Sequence, residues 1–385
     1  MEISIISIGS LVVIIFILIV LLIIEINFHL KALLKIPIRI HVNGARGKSS
    51  VVRLIAAGLR SGGLKTFAKT TGTIPRIINE KGEDVELHRL RSASIGEQIK
   101  LIRYFGKQEP EALVIECMAV NPQYQWISEH RIVRSTLSVI TNVRKDHVDE
   151  MGVSNNEIAY SLSNTIPFNS KVITSEQKIS YPFEDIARKR NSSLIIANNN
   201  DIDNEYLKKF PYLEHPENIS LALKVCQEYG ISKKVALDGM LMTNPDPGAL
   251  FIWNLKKSNQ FISAFAANDP ESTFKVWQLI KSRIDNKKIC FFLNTRDDRR
   301  YRTIQLVNLV LNRINPDLFI IRGSNIDNLI SKYNSKSSIK LLPMKTTPSE
   351  LVDNMMKFEN YAFIGIGNIV GWGDEFVNKI NKLKL

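Results

Sequence analysis

The sequence predicts an α/β protein in three parts: an N-terminal transmembrane helix, a domain built on a mostly parallel sheet, and a smaller α/β carboxyl-terminal domain. Three observations predict it. Ile3 to Ile24 is a run of 22 residues without a charge. The stretch "IRIHVNGARGKSSVVRL", residues 38 to 54, sets a glycine turn between a strand-like and a helix-like segment. Beyond it, short apolar runs alternate with helical ones to the end of the chain, which is the pattern of a parallel sheet with helices on its faces.

A chain of 385 residues is too long for one ordinary core and long enough for two domains that need no disulfides. The hydrophobic and charged fractions, 44% and 23%, are those of a globular protein, which excludes a disordered chain. Cys117, Cys226 and Cys290 lie far apart with no C-x-x-C pair, against a zinc knuckle, a redox motif or a secreted disulfide framework. The net charge of +13 fits either an anionic partner or a plain lysine-, asparagine- and isoleucine-rich composition. No RNA- or DNA-binding motif occurs, so nucleic acid is not an expected partner.

At about 1.5 Å per residue the N-terminal run reaches across the roughly 30 Å of a bilayer core. A cleaved signal peptide would carry positive charge before the run. Here Glu2 precedes it, and Lys31, Lys35 and Arg39 follow. The positive-inside rule then places a single-pass helix in the cell membrane with everything after residue 25 in the cytoplasm, and a buried core helix is the alternative.

After the anchor, Ile36 to Val42 reads as a buried strand and Lys48 to Ser61 as a helix closed by Gly62 and Gly63. Further strands are expected at 112–117, 135–141, 171–174 and 193–197, with a helix near 155–164. Helices over 217–229 and 233–241 precede "TNPDPGAL", a plausible hinge that puts a domain boundary near Asn244 to Gly248. The alternation then restarts, with strands at 260–265, 288–293, 317–321 and 362–366. The domains are therefore 1–25, 26–245 and 246–385.

The loop Asn43-Gly44-Ala45-Arg46-Gly47-Lys48-Ser49-Ser50 occupies the place of a phosphate cradle, although the strict Walker pattern would have glycine where Val42 stands. Its glycines let backbone N–H groups turn toward phosphate, the helix N-terminus adds a favourable dipole, Lys48 can reach the terminal phosphates and Ser49 can hold Mg²⁺. Glu116 ends an apolar strand at the same crevice, as a cation ligand or as a solvated strand terminus. The next strand ends in "TNVRKDHVD", where His147 can serve as metal ligand or orienting group and Asp146 and Asp149 as capping residues. In the second half, Asn268 and Asp269 can cap a helix from Pro270 onward. "NTRDDRRYR" holds Arg296, Arg299, Arg300 and Arg302, either a fork for phosphate or carboxylate or an exposed ion-pair cluster. "GIGNIVGWGDEF", from Gly365, reads as a tight βα turn.

The spacing G-x-x-G-K-[ST] from Gly44, the glutamate at Glu116 and the segment T-N-x-x-x-D-H-x-D from Thr141 together resemble the Mur ligase superfamily, which includes peptidoglycan amino-acid ligases and folylpolyglutamate synthase. That resemblance accounts for the displaced glycine. The segments "AKTTGT", "SIGEQ", "ECMAVNPQYQ", "NTIP", "AFAANDPEST" and "GNIVG" narrow it to the ligase subunits of poly-γ-glutamate synthases, the PgsB/CapB type, over nearly the whole chain. It implies a P-loop-type central domain and a Rossmann-like carboxyl-terminal domain that closes over the ATP site. It also implies an ATP-dependent acid–amino-acid ligase that extends poly-γ-glutamate through an acyl phosphate.

By the same resemblance ATP would be held by residues 43 to 50 with Asn142, and by Asn268, Asp269, Arg296 and Asp297. Lys48, Glu116 and His147 would be catalytic. Ser49 and Glu116 would bind Mg²⁺, with His147 at a second metal position. Thr71, Thr73, Arg91, Glu97 and Arg299 would meet the glutamate substrates. Implied partners are small membrane subunits of the PgsC/CapC and PgsA/CapA kind. Three positions depart from the superfamily: Ala45 replaces a threonine, Leu162 and Ser163 stand where many members carry a carbamylated lysine, and Phe265 replaces an aspartate. A ligase for another amino-acid acceptor and a membrane NTPase that powers polymer export are the competing readings.

Overall fold

The protein's structure, a computed structural model, describes residues 2–385 except 73–74, 88–93, 199–201, 208, 211, 213, 246–249, 266, 268, 282–283, 285, 325, 332 and 334–335. Residues 246–248 of the expected hinge thus lie outside the described residues. Contacts divide the chain into two compact units, residues 1–207 with 215–244, and residues 208–214 with 245–385.

The first unit opens with α1 (Glu2–Leu34), ten residues longer at its end than the apolar run that announced it. Then come β1 (Ile38–Asn43), α2 (Lys48–Ser61), β2 (Thr66–Thr70), β3 (Arg76–Ile78), β4 (Asp84–Glu86), α3 (Ile95–Gln108), β5 (Ala112–Glu116) and α4 (Pro122–Ile127). A π-helical turn (Ser128–Val133) leads to β6 (Leu137–Ile140), α5 (Val148–Met151), α6 (Asn155–Leu162), β7 (Lys171–Thr174), α7 (Tyr181–Lys189) and β8 (Ser193–Ile196). Helices α8 (Asn204–Leu207), α9 (Pro216–Glu228) and α10 (Lys233–Leu241) complete it. The sheet order is β4-β3-β2-β5-β1-β6-β7-β8. All neighbours from β2 to β8 run parallel, whereas β3 and β4 turn back antiparallel at one edge.

Parallel pairing puts the carboxyl ends of β1, β2, β5 and β6 along one edge, and helices cover both faces. Strand β5 is accordingly buried at every residue, as a strand covered on two sides must be. Helix α2 starts at Gly47, whose φ of +82° suits glycine, and stops at Gly62 and Gly63. Its buried face, Val51 to Leu59, packs on α9 and α10.

A buried ion pair ties the centre of this sheet to the helical layer. His41 Nδ1 on β1 lies 2.7 Å from Glu129 Oε2 in the π-helical turn, both side chains being essentially inaccessible. The other carboxylate oxygen accepts from the Ser135 N–H and hydroxyl at 2.8 and 2.9 Å. Burial opposes charge on both groups. The Cys117 thiol and the Glu129 carboxylate outweigh it and raise the pKa of His41, while His41 and Ser135 hold that of Glu129 below the usual range.

The second unit contains β9 (Phe251–Asn254), β10 (Gln260–Ser263), α11 (Pro270–Ile280), β11 (Lys288–Asn294), α12 (Arg300–Leu309) and β12 (Leu318–Arg322). It ends with α13 (Asp327–Ile330), β13 (Ser338–Leu342), α14 (Pro348–Met355), β14 (Tyr361–Gly367) and α15 (Trp372–Asn381). Its sheet order is β13-β12-β11-β14-β10-β9, parallel except for β9. Phe291 and Phe292 point to opposite faces and enter separate cores, one with Ile321 and Ile364, the other with Phe261 and Phe376.

Removing one partner of a buried ion pair leaves the other charge uncompensated, at about 3–5 kcal/mol. Urea unfolding of the full chain in detergent should show a loss of that size for Glu129→Ala and a smaller one for Glu129→Gln, which keeps an acceptor for Ser135.

Candidate active site

The loop between β1 and α2 is shaped mainly by its backbone. Gly44 has φ +131°, and a Cβ there would lie 2.0 Å from Thr141 Oγ1. A Cβ at Gly47 would lie 2.7 Å from Asn218 Oδ1 on α9. The end of β6 holds the loop from behind. Asn142 O accepts from the Ala45 N–H at 3.1 Å, its Oδ1 accepts from the Arg46 N–H at 3.1 Å, and the Asn142 amide and Thr141 hydroxyl donate to the Arg46 carbonyl at 3.0 and 2.6 Å. Asn142 therefore braces the loop. Asn43 is buried, its amide donating to Gln125 and Thr165 at 2.9 and 3.2 Å.

Two functional groups meet at the front of the loop. Ser49, in the first turn of α2, donates to Glu116 Oε2 at 2.8 Å, and the Thr71 N–H at the end of β2 donates to the same oxygen at 2.7 Å. Lys48 Nζ folds onto the loop's own carbonyls, Gly44 O at 2.6 Å and Ala45 O at 3.3 Å. Ser50 follows in the same helical turn, half-buried. A cavity of about 260 Å³ opens here, lined among others by Gly44, Lys48, Thr71, Glu116, Asp146 and His147.

His147 is the N-cap residue of α5, with φ +47°, and its half-exposed ring stands 3.9 Å from Asp146 Oδ1. Asp146 accepts from the His147 N–H at 3.2 Å and lies 3.3 Å from Arg46 Nη2, so it closes the loop sideways. Glu97 lies in the first turn of α3, 3.4 Å from the buried Lys69 Nζ, and is not among the residues lining the cavity.

In the second unit Asp269 caps α11 by accepting from the Ser272 N–H at 2.9 Å. Arg296 grips Asp298 through two nitrogens at 2.9 and 2.6 Å, an ion pair inside the arginine-rich segment, and Arg299 is exposed ahead of α12. Thr73, Arg91 and Asn268 lie outside the described residues, as does the side chain of Asp297.

The donor set fits a hard divalent cation. Adjacent ligands of an octahedral ion with ~2.1 Å bonds are about 3 Å apart, close to the observed Ser49–Glu116 separation of 2.8 Å. Such an ion can replace the shared proton with little movement of either oxygen. Among the described residues no group of three or more His, Cys, Asp or Glu forms a cage. A one-carboxylate site is completed by waters and substrate phosphates, as Mg²⁺ usually is. Leu162 and Ser163 are buried in the core, so the stretch that carries a carbamylated lysine elsewhere offers this site no ligand.

A glycine turn at the carboxyl edge of a parallel sheet, with a serine and a neighbouring strand's carboxylate side by side, defines a phosphate-binding α/β protein. Residues 42–240 match the Mur ligase middle domain, and residues 252–383 match the poly-gamma-glutamate synthase CapB C-terminal domain. The PGA synthase CapB of Bacillus subtilis (strain 168) is 36% identical over 374 residues, covering 94% of this chain and 95% of that protein. The capsule biosynthesis protein CapB of Bacillus anthracis is 36% identical over 364 residues, 91% of this chain and 78% of that protein. The fold is that of E. coli FolC in complex with ADP, with a TM-score of 0.71 at 14% identity and 93% and 92% of the two chains covered. A Yersinia pestis folylpolyglutamate synthase/dihydrofolate synthase complexed with AMPPNP and a Mn ion gives 0.70 at 14% identity, with the same coverage. This chain belongs to the Mur ligase family of ATP-dependent amide ligases, as a member of its poly-γ-glutamate synthase CapB group.

Gly44→Ala should destabilise the first unit by about 1–3 kcal/mol, because a strained φ is added to a clash with Thr141. Gly63→Ala, at φ +90° with no atom within 4 Å of the added Cβ, should cost less. Calorimetric Tm values of the two variants check the order.

Proposed function

We propose that the chain extends poly-γ-glutamate at the cytoplasmic face of a membrane, with ATP and Mg²⁺, for a capsule or secreted polymer. The observation that carries this reading is the Ser49–Glu116 contact at 2.8 Å, at the edge of a cavity that Glu116 and Lys48 line. The description of the carboxyl-terminal family supplies glutamate as the monomer, and the apolar α1 supplies the membrane.

In this proposal the triphosphate lies on the N–H groups of Gly47, Lys48 and Ser49 at the N-terminus of α2, those of Ala45 and Arg46 being held by Asn142. Lys48 leaves the Gly44 and Ala45 carbonyls for a β,γ-phosphate oxygen. Ser49 and Glu116 would hold Mg²⁺, which would supply Lewis-acid charge neutralisation on the phosphoryl group. A γ-carboxylate of one glutamate unit attacks the γ-phosphorus and ADP leaves. The amine of a second glutamate unit attacks the acyl carbon, loses a proton, and phosphate departs with the carboxylate oxygen to leave an amide. Charge on the transferring group is spread over several oxygens, so fixed cations and N–H donors lower the barrier without reorganising. His147 stands at the rim, where a substrate carboxylate would be oriented. Small membrane subunits are the expected partners.

Membranes containing the partner subunits, given ATP, Mg²⁺ and glutamate, should release ADP together with γ-linked polymer. ATP turnover that ignores glutamate and yields no polymer would instead establish an export NTPase. Lys48→Ala and Glu116→Ala should each lower synthesis by on the order of 10²–10³-fold in protein that stays folded and membrane-bound.

Removing residues 2–24 should release the chain from lipid in flotation assays. A truncated chain that still floats would refute the anchor.

A further inference from the structure

We infer that α1 is a docked strut whose direction turns the catalytic edge of the first unit toward the bilayer surface, the lipid headgroup layer being the surface it meets. The inference rests on the anchor reading above.

The direction follows from which residues touch. Helix α3 descends from the catalytic edge of the sheet to the opposite one. At its start Glu97 pairs with Lys69 near the end of β2, and Gln98 donates to the Glu116 carbonyl at the end of β5. At its finish the Gln108 carbonyl accepts from Lys65, just before β2 begins. Helix α1 lies along α3 in the same sense. Lys35 pairs with Glu109 at 2.7 Å, Ala32 packs against Gly106, and Glu25 pairs with Arg103 at 2.8 Å. Walking back along α1 therefore climbs α3 toward the catalytic edge.

The dock is firm. A Cβ on Gly106 would lie 3.0 Å from the Ala32 carbonyl, so the two helices touch backbone to side chain. His29 Nε2 stands 2.8 Å from the Ile132 carbonyl, and Arg103 also donates to the Glu25 carbonyl at 2.9 Å. Below, the Arg39 guanidinium ties the end of α1 to the base of β6 by donating to the carbonyls of Leu33, Ile36, Val133 and Arg134.

Above Glu25 the helix continues without a proline to Glu2, and its side chains from Leu11 to Ile24 are exposed. Residues 2–24, about 35 Å of helix, match the bilayer core. The run ends at Glu25, which pairs with Arg103 of α3. The side chains from Leu11 to Ile24 being exposed, α1 no longer packs along its length on α3 above Glu25. The catalytic edge therefore lies on the side of the unit from which the membrane helix emerges, and faces the headgroups there.

The test uses the full chain in nanodiscs of phosphatidylcholine and phosphatidylglycerol with an acceptor dye on the headgroups. The three native cysteines are buried, so single added thiols take a donor dye selectively. Val153→Cys marks the catalytic edge and Gln108→Cys the opposite one, both at exposed positions. A strand of five residues is about 16 Å long, and energy transfer from position 153 should exceed that from 108 by about twofold or more. Equal or reversed transfer overturns the orientation. Gly106→Leu and, separately, Arg103→Ala should leave the chain on the nanodisc and shrink the difference. An unchanged difference in both variants would show that α1 is not the strut. Failure of the chain to co-elute with nanodiscs would overturn the anchor reading itself, and is seen before any transfer is measured.

Discussion

The hydrogen bonds that converge on Glu116 Oε2 organise the candidate active site. One carboxylate oxygen takes the Ser49 hydroxyl from α2 and the Thr71 N–H from the end of β2. It can do so because β1 and β2 flank β5 in parallel register, with Val42 beside Glu116 and Lys69 beside Ile115. Three consecutive places in the sheet thus deliver a loop, a backbone donor and a carboxylate to one point. On the other side of β1, Thr141 and Asn142 hold the turn through the Arg46 carbonyl. Displacing any of these strands by one residue would turn its side chains to the other face and dissolve the site.

Rigidity behind that edge comes from polar groups that are buried and paired. His41 and Glu129 join β1 to the π-helical turn, Ser128 joins that turn to Gln98 at 2.6 Å, and Gln98 reaches the Glu116 carbonyl at 3.4 Å. The same turn presents the Ile132 carbonyl to His29 of α1. Helix α1, the helical layer and β5 are thereby one connected body within the first unit.

Much of this fold was legible because its punctuation is local. Helix α2 has glycine at both ends, and β7 and α10 have the bounds their patterns announce, 171–174 and 233–241. What escaped was non-local. Strand β2 carries a lysine in a short segment, and Lys69 is buried there against Glu97, which arrives 28 residues later. The three-residue strands β3 and β4 are too short for any periodicity to register. Helix α1 outruns its apolar stretch because Glu25 and His29 find partners on α3 and beside β6. The motif brought Ser49 and Glu116 to notice, and the structure adds their distance. That Asn142 braces the loop, and that Arg296 is engaged by Asp298 two residues on, needed coordinates.

The central claim is that the phosphoryl group passes to a carboxylate and not to water. Glutamate and its polymer, both carrying ¹⁸O in their γ-carboxylates, test it when supplied with unlabelled ATP to membranes holding the complete synthase. The account predicts one ¹⁸O in the phosphate released for each amide bond formed, since the acyl carbon surrenders its labelled oxygen when the amine attacks. Phosphate free of label, with its new oxygen drawn from solvent, would contradict it.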